Sequence, residues 1–158
     1  MKRLMFLFLG LFLLAPIYID AQEQAIGLRF GGGSHVGTEI SFQTPYNNDR
    51  LEVNLGFKSS SNWNFWNLTG IYQWVMPIDE GFYWYLGLGP SLGNSSYDGR
   101  DDSKKDGIYL AAALNAGIEY NFADIPLQLS IDTRPELVLM DVDSRGWFGL
   151  ALSARYKF

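Results

Sequence analysis

The last eleven residues, FGLALSARYKF (148–158), decide the fold because apolar and polar side chains alternate along them. The even-numbered positions are apolar and end on an aromatic residue, whereas Gly149, Ala151, Ser153, Arg155 and Lys157 lie between them. A period of two over this length predicts a β-strand with one apolar face.

The amino terminus has the layout of a secretory signal peptide. Lys2 and Arg3 precede an apolar run over 4–19, and Asp20-Ala21-Gln22 follows. This order of charged, apolar and small residues predicts a signal peptide over 1–21, cleaved after Ala21, and a mature chain of 22–158. An uncleaved anchor is the alternative, but the run is short for a spanning helix and Pro16 interrupts it.

Composition excludes several classes of protein. The chain has 158 residues, which suits one domain, and it has no cysteine. Disulfides, thiolate metal sites, a cysteine nucleophile and a lipidated cysteine are therefore excluded. The formal charge of −5, with no basic stripe, argues against nucleic acid as a partner. Beyond the signal no apolar run approaches the length of a spanning helix, so a closed barrel is the one membrane structure left.

Eight alternating segments follow one another in the mature chain, at 25–31, 36–43, 51–58, 66–76, 82–93, 108–122, 127–136 and 148–158. We therefore predict an all-β fold, a closed eight-stranded antiparallel up-and-down transmembrane β-barrel spanning 22–158. The connections 44–49, 77–80 and 121–126 are compact. At the opposite end 33–35 is tight, and 59–62, 94–107 and 135–146 are predicted to be longer loops.

The apolar face could point outward to lipid or, as in a lipocalin, inward to a ligand pocket. Glycines fall mainly on the polar face, where a narrow lumen needs small side chains. Aromatic residues near strand ends predict girdles at the membrane interfaces. The predicted girdle consists of Trp66, Tyr72, Trp74, Phe82, Trp84, Tyr120, Tyr156 and Phe158. Both features favour an apolar face in contact with lipid.

The polar face carries as many basic as acidic residues. Buried charges are costly unless they are paired, so we predict a network of ion pairs that plugs the lumen. A charged channel is the alternative. The predicted members are Arg29, Glu39, Glu52, Lys58, Glu119, Asp132, Arg134, Glu136, Arg155 and Lys157.

Several short segments resemble a known family: GLRFGGG (27–33), NDRLE (48–52), TGIYQW (69–74), GIEYNF (117–122), PLQLS (126–130) and RPE (134–136). They look like the small outer-membrane barrels of Bacteroides-type bacteria, whose architecture is similar to the OmpA/OmpX type. The resemblance implies a place in the bacterial outer membrane, among lipid and lipopolysaccharide. The resemblance implies no catalytic residue in this chain. The last strand, which ends at Phe158, has the pattern that such barrels present to the barrel-assembly machinery. We also expect a monomer without a cofactor.

The leading functional prediction is a non-enzymatic envelope barrel. Two other activities are the alternatives: a lipid A-modifying enzyme at the rim, and a narrow pore. Ser34 and His35 lie in the first connection, where some barrels that modify lipid A hold a hydrolase or acyltransferase site. However, those enzymes place serine two residues after histidine, where this chain has Gly37. The highly charged stretch 98–107 lacks the ligand spacing of a calcium loop, and Lys104 and Lys105 offset its acids, so no metal site is predicted.

Overall fold

The computed structural model describes residues 24–31, 37–60, 63–97, 107–140 and 149–158. The predicted signal peptide 1–21, Ser34, His35 and most of the stretch 98–107 lie outside the described residues. Among the described residues, no helix has the length and apolar content needed to span a bilayer. The strands are β1 Ala25–Gly31, β2 Thr38–Tyr46, β3 Asp49–Ser60, β4 Trp63–Asp79, β5 Phe82–Tyr97, β6 Gly107–Asn121, β7 Leu127–Thr133, β8 Glu136–Met140 and β9 Leu150–Lys157.

The strands form one antiparallel sheet that closes on itself. Sequence neighbours pair from β1 through β6 and on to β7, and β7 pairs with β9. The barrel closes where β9 pairs with β1, with Leu28 opposite Ala154. Gln24 and Phe158 extend this seam through two backbone hydrogen bonds of 3.0 and 2.9 Å. The predicted closed, antiparallel, up-and-down barrel is confirmed.

β7 and β8 are two parts of one barrel strand, so the predicted number of eight is also confirmed. Thr133 lies opposite Ala116 and Glu136 lies opposite Ala113, which is the same register on β6. The ladder is interrupted at Arg134 and Pro135, because proline has no N–H to donate. The carbonyl of Pro135 still accepts a hydrogen bond of 2.9 Å from the backbone N–H of Leu114.

Compact connections lie at one end of the barrel, which we call the turn end. They are Asn47–Asn48, Glu80–Gly81 and 122–126, and both described chain ends lie beside them. Asn47 and Gly81 have φ angles of 57° and 78°, which asparagine and glycine tolerate better than other residues.

The opposite end, called the loop end, differs in detail from the prediction. The predicted loop 94–107 was too long, because β5 continues to Tyr97 and Asn94 pairs with Ile108 on β6. The first part of the predicted loop 135–146 is strand β8, and Ser59 lies within β3. Polar residues do not end these strands, because the backbone of a neighbouring strand provides hydrogen-bond partners for their backbone groups whatever the side chain.

The two faces of the barrel have opposite chemistry. Leu114, on the outer face of β6, is 48% exposed, whereas the adjacent inward Ala113 is 1% exposed. The same alternation of exposed apolar and buried polar side chains runs through β1, β2 and β9. The lipocalin interpretation requires the reverse, with apolar side chains inside, and is therefore wrong.

The aromatic residues predicted as a girdle are distributed unevenly. Trp66 lies near the loop end and pairs with Phe57. The other seven lie towards the turn end, where neighbouring rings contact one another. Centroid distances are 5.3 Å for Tyr72–Trp74, 4.5 Å for Phe82–Tyr120 and 6.4 Å for Tyr156–Phe158.

Candidate functional site

The charged side chains gather in the lumen because strand alternation turns them all to one face. Four arginines and four acids there are at most 9% exposed. These eight are Arg29, Arg50, Arg134, Arg155, Glu39, Glu52, Glu119 and Asp132. Their formal charges sum to zero, so no excess of either sign is buried among them.

A chain of alternating charges begins at Asp132 on β7. Arg29 on β1 donates to Asp132 at 2.6 Å and also to Glu39 on β2 at 3.3 Å. Arg134 donates to both oxygens of the same Glu39 and lies 3.5 Å from Glu136. The hydroxyl of Tyr109 donates to the other oxygen of Glu136. Glu39 therefore lies between two arginines. Arg29 is on the neighbouring strand β1, and Arg134 lies between β7 and β8.

A second group surrounds Glu52 on β3. Arg155, on β9, donates to Glu52 at 3.1 Å and to the hydroxyl oxygens of Ser41 and Ser130 at 2.8 and 2.9 Å. The other oxygen of Glu52 accepts from Gln43 and Gln73, each at 2.8 Å. β3 and β9 are separated by β1 and β2, so this pair bridges the lumen.

A third group joins Arg50 to Glu119 on β6. Two guanidinium nitrogens donate to the two carboxylate oxygens at 2.9 and 2.6 Å. Such bidentate, charge-assisted hydrogen bonds are stronger than hydrogen bonds between neutral groups. The guanidinium also lies 5.0 Å from the ring centroid of Tyr85. Because β4 and β5 separate β3 from β6, this pair crosses the lumen as well.

Two neutral side chains connect the three groups into one lumen network. Gln73 accepts from Arg50 at 2.6 Å and donates to Asn115 at 2.6 Å. Asn115 in turn donates to Asp132 at 3.3 Å. The network thus continues without a break from the Arg50 pair to the chain that contains Glu39.

The wall formed by β4, β5 and β6 provides room for this network and for a few large residues. A methyl group at Gly87 would come within 2.7 Å of Ile71, and one at Gly117 would come within 2.6 Å of the Tyr85 ring. Both glycines are therefore needed where Ile71 and Tyr85 fill the lumen. The same wall carries Gly89, Ser91, Gly93, Ala111 and Ala113 on its inner face.

Three predicted members of the network lie outside the buried group. Lys58 is exposed near the loop end, and Lys157 is half-buried at the turn end, where it lines a cavity of about 200 Å³ with Arg50 and Glu119. Glu136 is also only half-buried.

Arg50, Gln73 and Asn115 were not predicted as members of the network. For Arg50 a signal existed, since it shares the even numbering of Glu52 and Asn54, but its place beside Asn48 and Asp49 suggested a turn. The two amides gave no such signal, because neutral amides are common on any polar face.

The buried carboxylates of the lumen are all engaged in ion pairs. Each buried carboxylate accepts hydrogen bonds from arginine, so none is positioned as an unengaged general base. Among the described residues, no group of three or more His, Asp or Glu side chains could hold a metal ion.

Solved structures with a similar fold include two bacterial proteins. Neisserial surface protein A (NspA) matches with a TM-score of 0.59 and 17% sequence identity, over 87% of this chain and 97% of that one. The N-terminal β-barrel domain of Pseudomonas aeruginosa OprF matches with a TM-score of 0.56 and 18% identity, over 87% and 99%. No protein-family model and no curated protein matches the sequence.

At these identities the likeness concerns the fold alone. Both neighbours are eight-stranded outer-membrane β-barrels. This chain therefore has an OmpA/OmpX-like barrel fold of the outer-membrane type, consistent with its exposed apolar wall.

Proposed function

We propose that this chain is a non-enzymatic barrel of the bacterial outer membrane whose lumen is closed by the lumen network. In this role it contributes to envelope structure and holds its loop-end connections at the cell surface. The observation that carries the proposal is the set of buried ion pairs that cross the lumen, among them Arg50–Glu119 and Arg155–Glu52.

Closure by ion pairs has an energetic basis. A charge that leaves water costs several kcal/mol unless a partner and further hydrogen bonds compensate it. Glu52 has both, since it receives Arg155 together with Ser41, Gln43 and Gln73. An ion passing through would have to break contacts of this kind, so we expect the barrier to conduction to be high.

The proposed orientation places the turn end in the periplasm and the loop end outside the cell. Outer-membrane barrels have short periplasmic turns and longer extracellular loops. The proposed partners are outer-membrane lipid, lipopolysaccharide and, during assembly, the barrel-assembly machinery through β9 and Phe158. We propose a monomer, and the resemblance to Bacteroides-type barrels stays a prediction.

Single-channel recording in planar bilayers tests the closed lumen. The wild-type barrel is expected to show no steady openings. The double variant Arg50→Ala/Glu119→Ala removes a cross-lumen pair without changing net charge and is expected to raise the leak current. Asp79→Ala, an exposed change at the turn end, serves as the control and should leave the trace silent. Steady wild-type openings would favour a pore instead.

A further inference from the structure

A shallow apolar groove of about 570 Å³ lies on the outer wall, across β5, β6 and β7. Two neighbouring rows of outward side chains define it. The first row is Trp84, Ile118 and Ile131, and the second runs through Leu86, Ala116 and Thr133. Because Ala116 and Thr133 are smaller than the residues around them, they leave a depression in the wall.

The connections at the turn end of these strands carry three acidic residues. Asp79 pairs with Phe82 at the start of β5, Glu80 follows in the turn, and Asp124 lies in the connection from β6 to β7. All three are exposed, and we call them the acidic rim. The six described cations all occupy inward positions: Arg29, Arg50, Lys58, Arg134, Arg155 and Lys157.

We propose that the groove binds an acyl chain of a phospholipid whose headgroup carries an ammonium, an ethanolamine lipid, with that headgroup at the acidic rim. The groove has an apolar surface, and burial of that surface favours the binding of a hydrocarbon chain. The rim supplies the sign of charge that attracts an ammonium and repels an anionic headgroup. The proposal goes beyond envelope structure, since it assigns a specific lipid to a specific wall.

A second copy of the chain suits this wall less well. Most closed dimers are two-fold symmetric and bring the same patch of both subunits together. With both copies inserted in the same direction, two acidic rims would meet at the interface, and like charges that face each other are unfavourable. A single lipid has no such conflict.

Native mass spectrometry of the mature barrel in detergent, with equal amounts of palmitoyl-oleoyl phosphatidylethanolamine and phosphatidylglycerol, tests the proposal. We expect the ethanolamine lipid to be retained about threefold to fivefold more than the glycerol lipid. Ala116→Leu fills the depression and should lower retention about tenfold. Ala112→Leu, on the outer face of the same strand but away from the groove, is the matched control.

A second variant tests the contact with the lipid headgroup separately from the contact with the acyl chain. Asp79→Asn/Glu80→Gln/Asp124→Asn should abolish the preference while total lipid retention persists. Equal retention of both lipids by the wild type, unchanged retention by Ala116→Leu, or a dimer mass in place of bound lipid would each overturn the proposal. Unboiled migration on SDS gels reports whether each variant is folded, so loss of lipid is distinguishable from loss of the barrel.

Discussion

Replacing Glu39 with alanine is expected to lower the free energy of unfolding by about 3–5 kcal/mol, the cost of breaking a buried ion pair from one side. Glu39 lies between Arg29 and Arg134, and all three side chains are buried. Without the carboxylate, Arg29 still has Asp132, whereas Arg134 loses both hydrogen bonds to Glu39 and keeps the 3.5 Å contact to the half-buried Glu136. Urea titration of the barrel in lipid vesicles, followed by tryptophan fluorescence, measures the change.

The control for this experiment is Glu80→Ala. Glu80 is also a glutamate, but it is exposed in the turn between β4 and β5. A surface substitution of this kind should shift stability by no more than about 0.5 kcal/mol. If Glu39→Ala cost no more than Glu80→Ala, the lumen network would not contribute to the stability of the fold.

A charge on the outer wall should be nearly as harmful. Leu114→Arg is expected to destabilise the barrel by about 2–4 kcal/mol, the cost of placing arginine near the middle of a bilayer on the lipid face of a barrel. Leu114 is exposed and lies in the middle of β6, opposite Leu88. The same titration in vesicles measures the loss.

The matched control lies on the same strand and the same face but at a different depth. Ile108 is the second residue of β6, at the loop end, and is 71% exposed. Because the cost of arginine falls to about 0–1 kcal/mol near the interface, Ile108→Arg should be tolerated. Equal costs at the two positions would mean that the wall does not span a bilayer with this orientation.

The fold could be predicted from the sequence because the period of two is almost unbroken. Once Leu114 is assigned outward, Ala113 and Asn115 must point inward, and the same rule assigns every other residue of β6 to a face. The ends of strands were less predictable. Asn94 and Ser96 have the composition of a loop, but backbone pairing with β6 holds Asn94 in a strand, and composition does not report such pairing.

The lumen network could be predicted only in part. Alternation indicates which side chains enter the lumen, but not which of them meet. Arg29 and Asp132 are 103 residues apart, and their contact depends on how the strands stagger around the barrel. The bridging role of Gln73 depends on the same stagger. From β4, Gln73 contacts Arg50 and Glu52 on β3 and Asn115 on β6.

Heat modifiability, measured on the wild-type chain extracted from membranes with detergent, tests the closed membrane barrel most directly. The unboiled sample should migrate faster on an SDS gel than the boiled one, because a closed barrel held by its backbone ladder and lumen network resists the detergent. A single unshifted band, from a protein that stays in solution without detergent, would contradict the account.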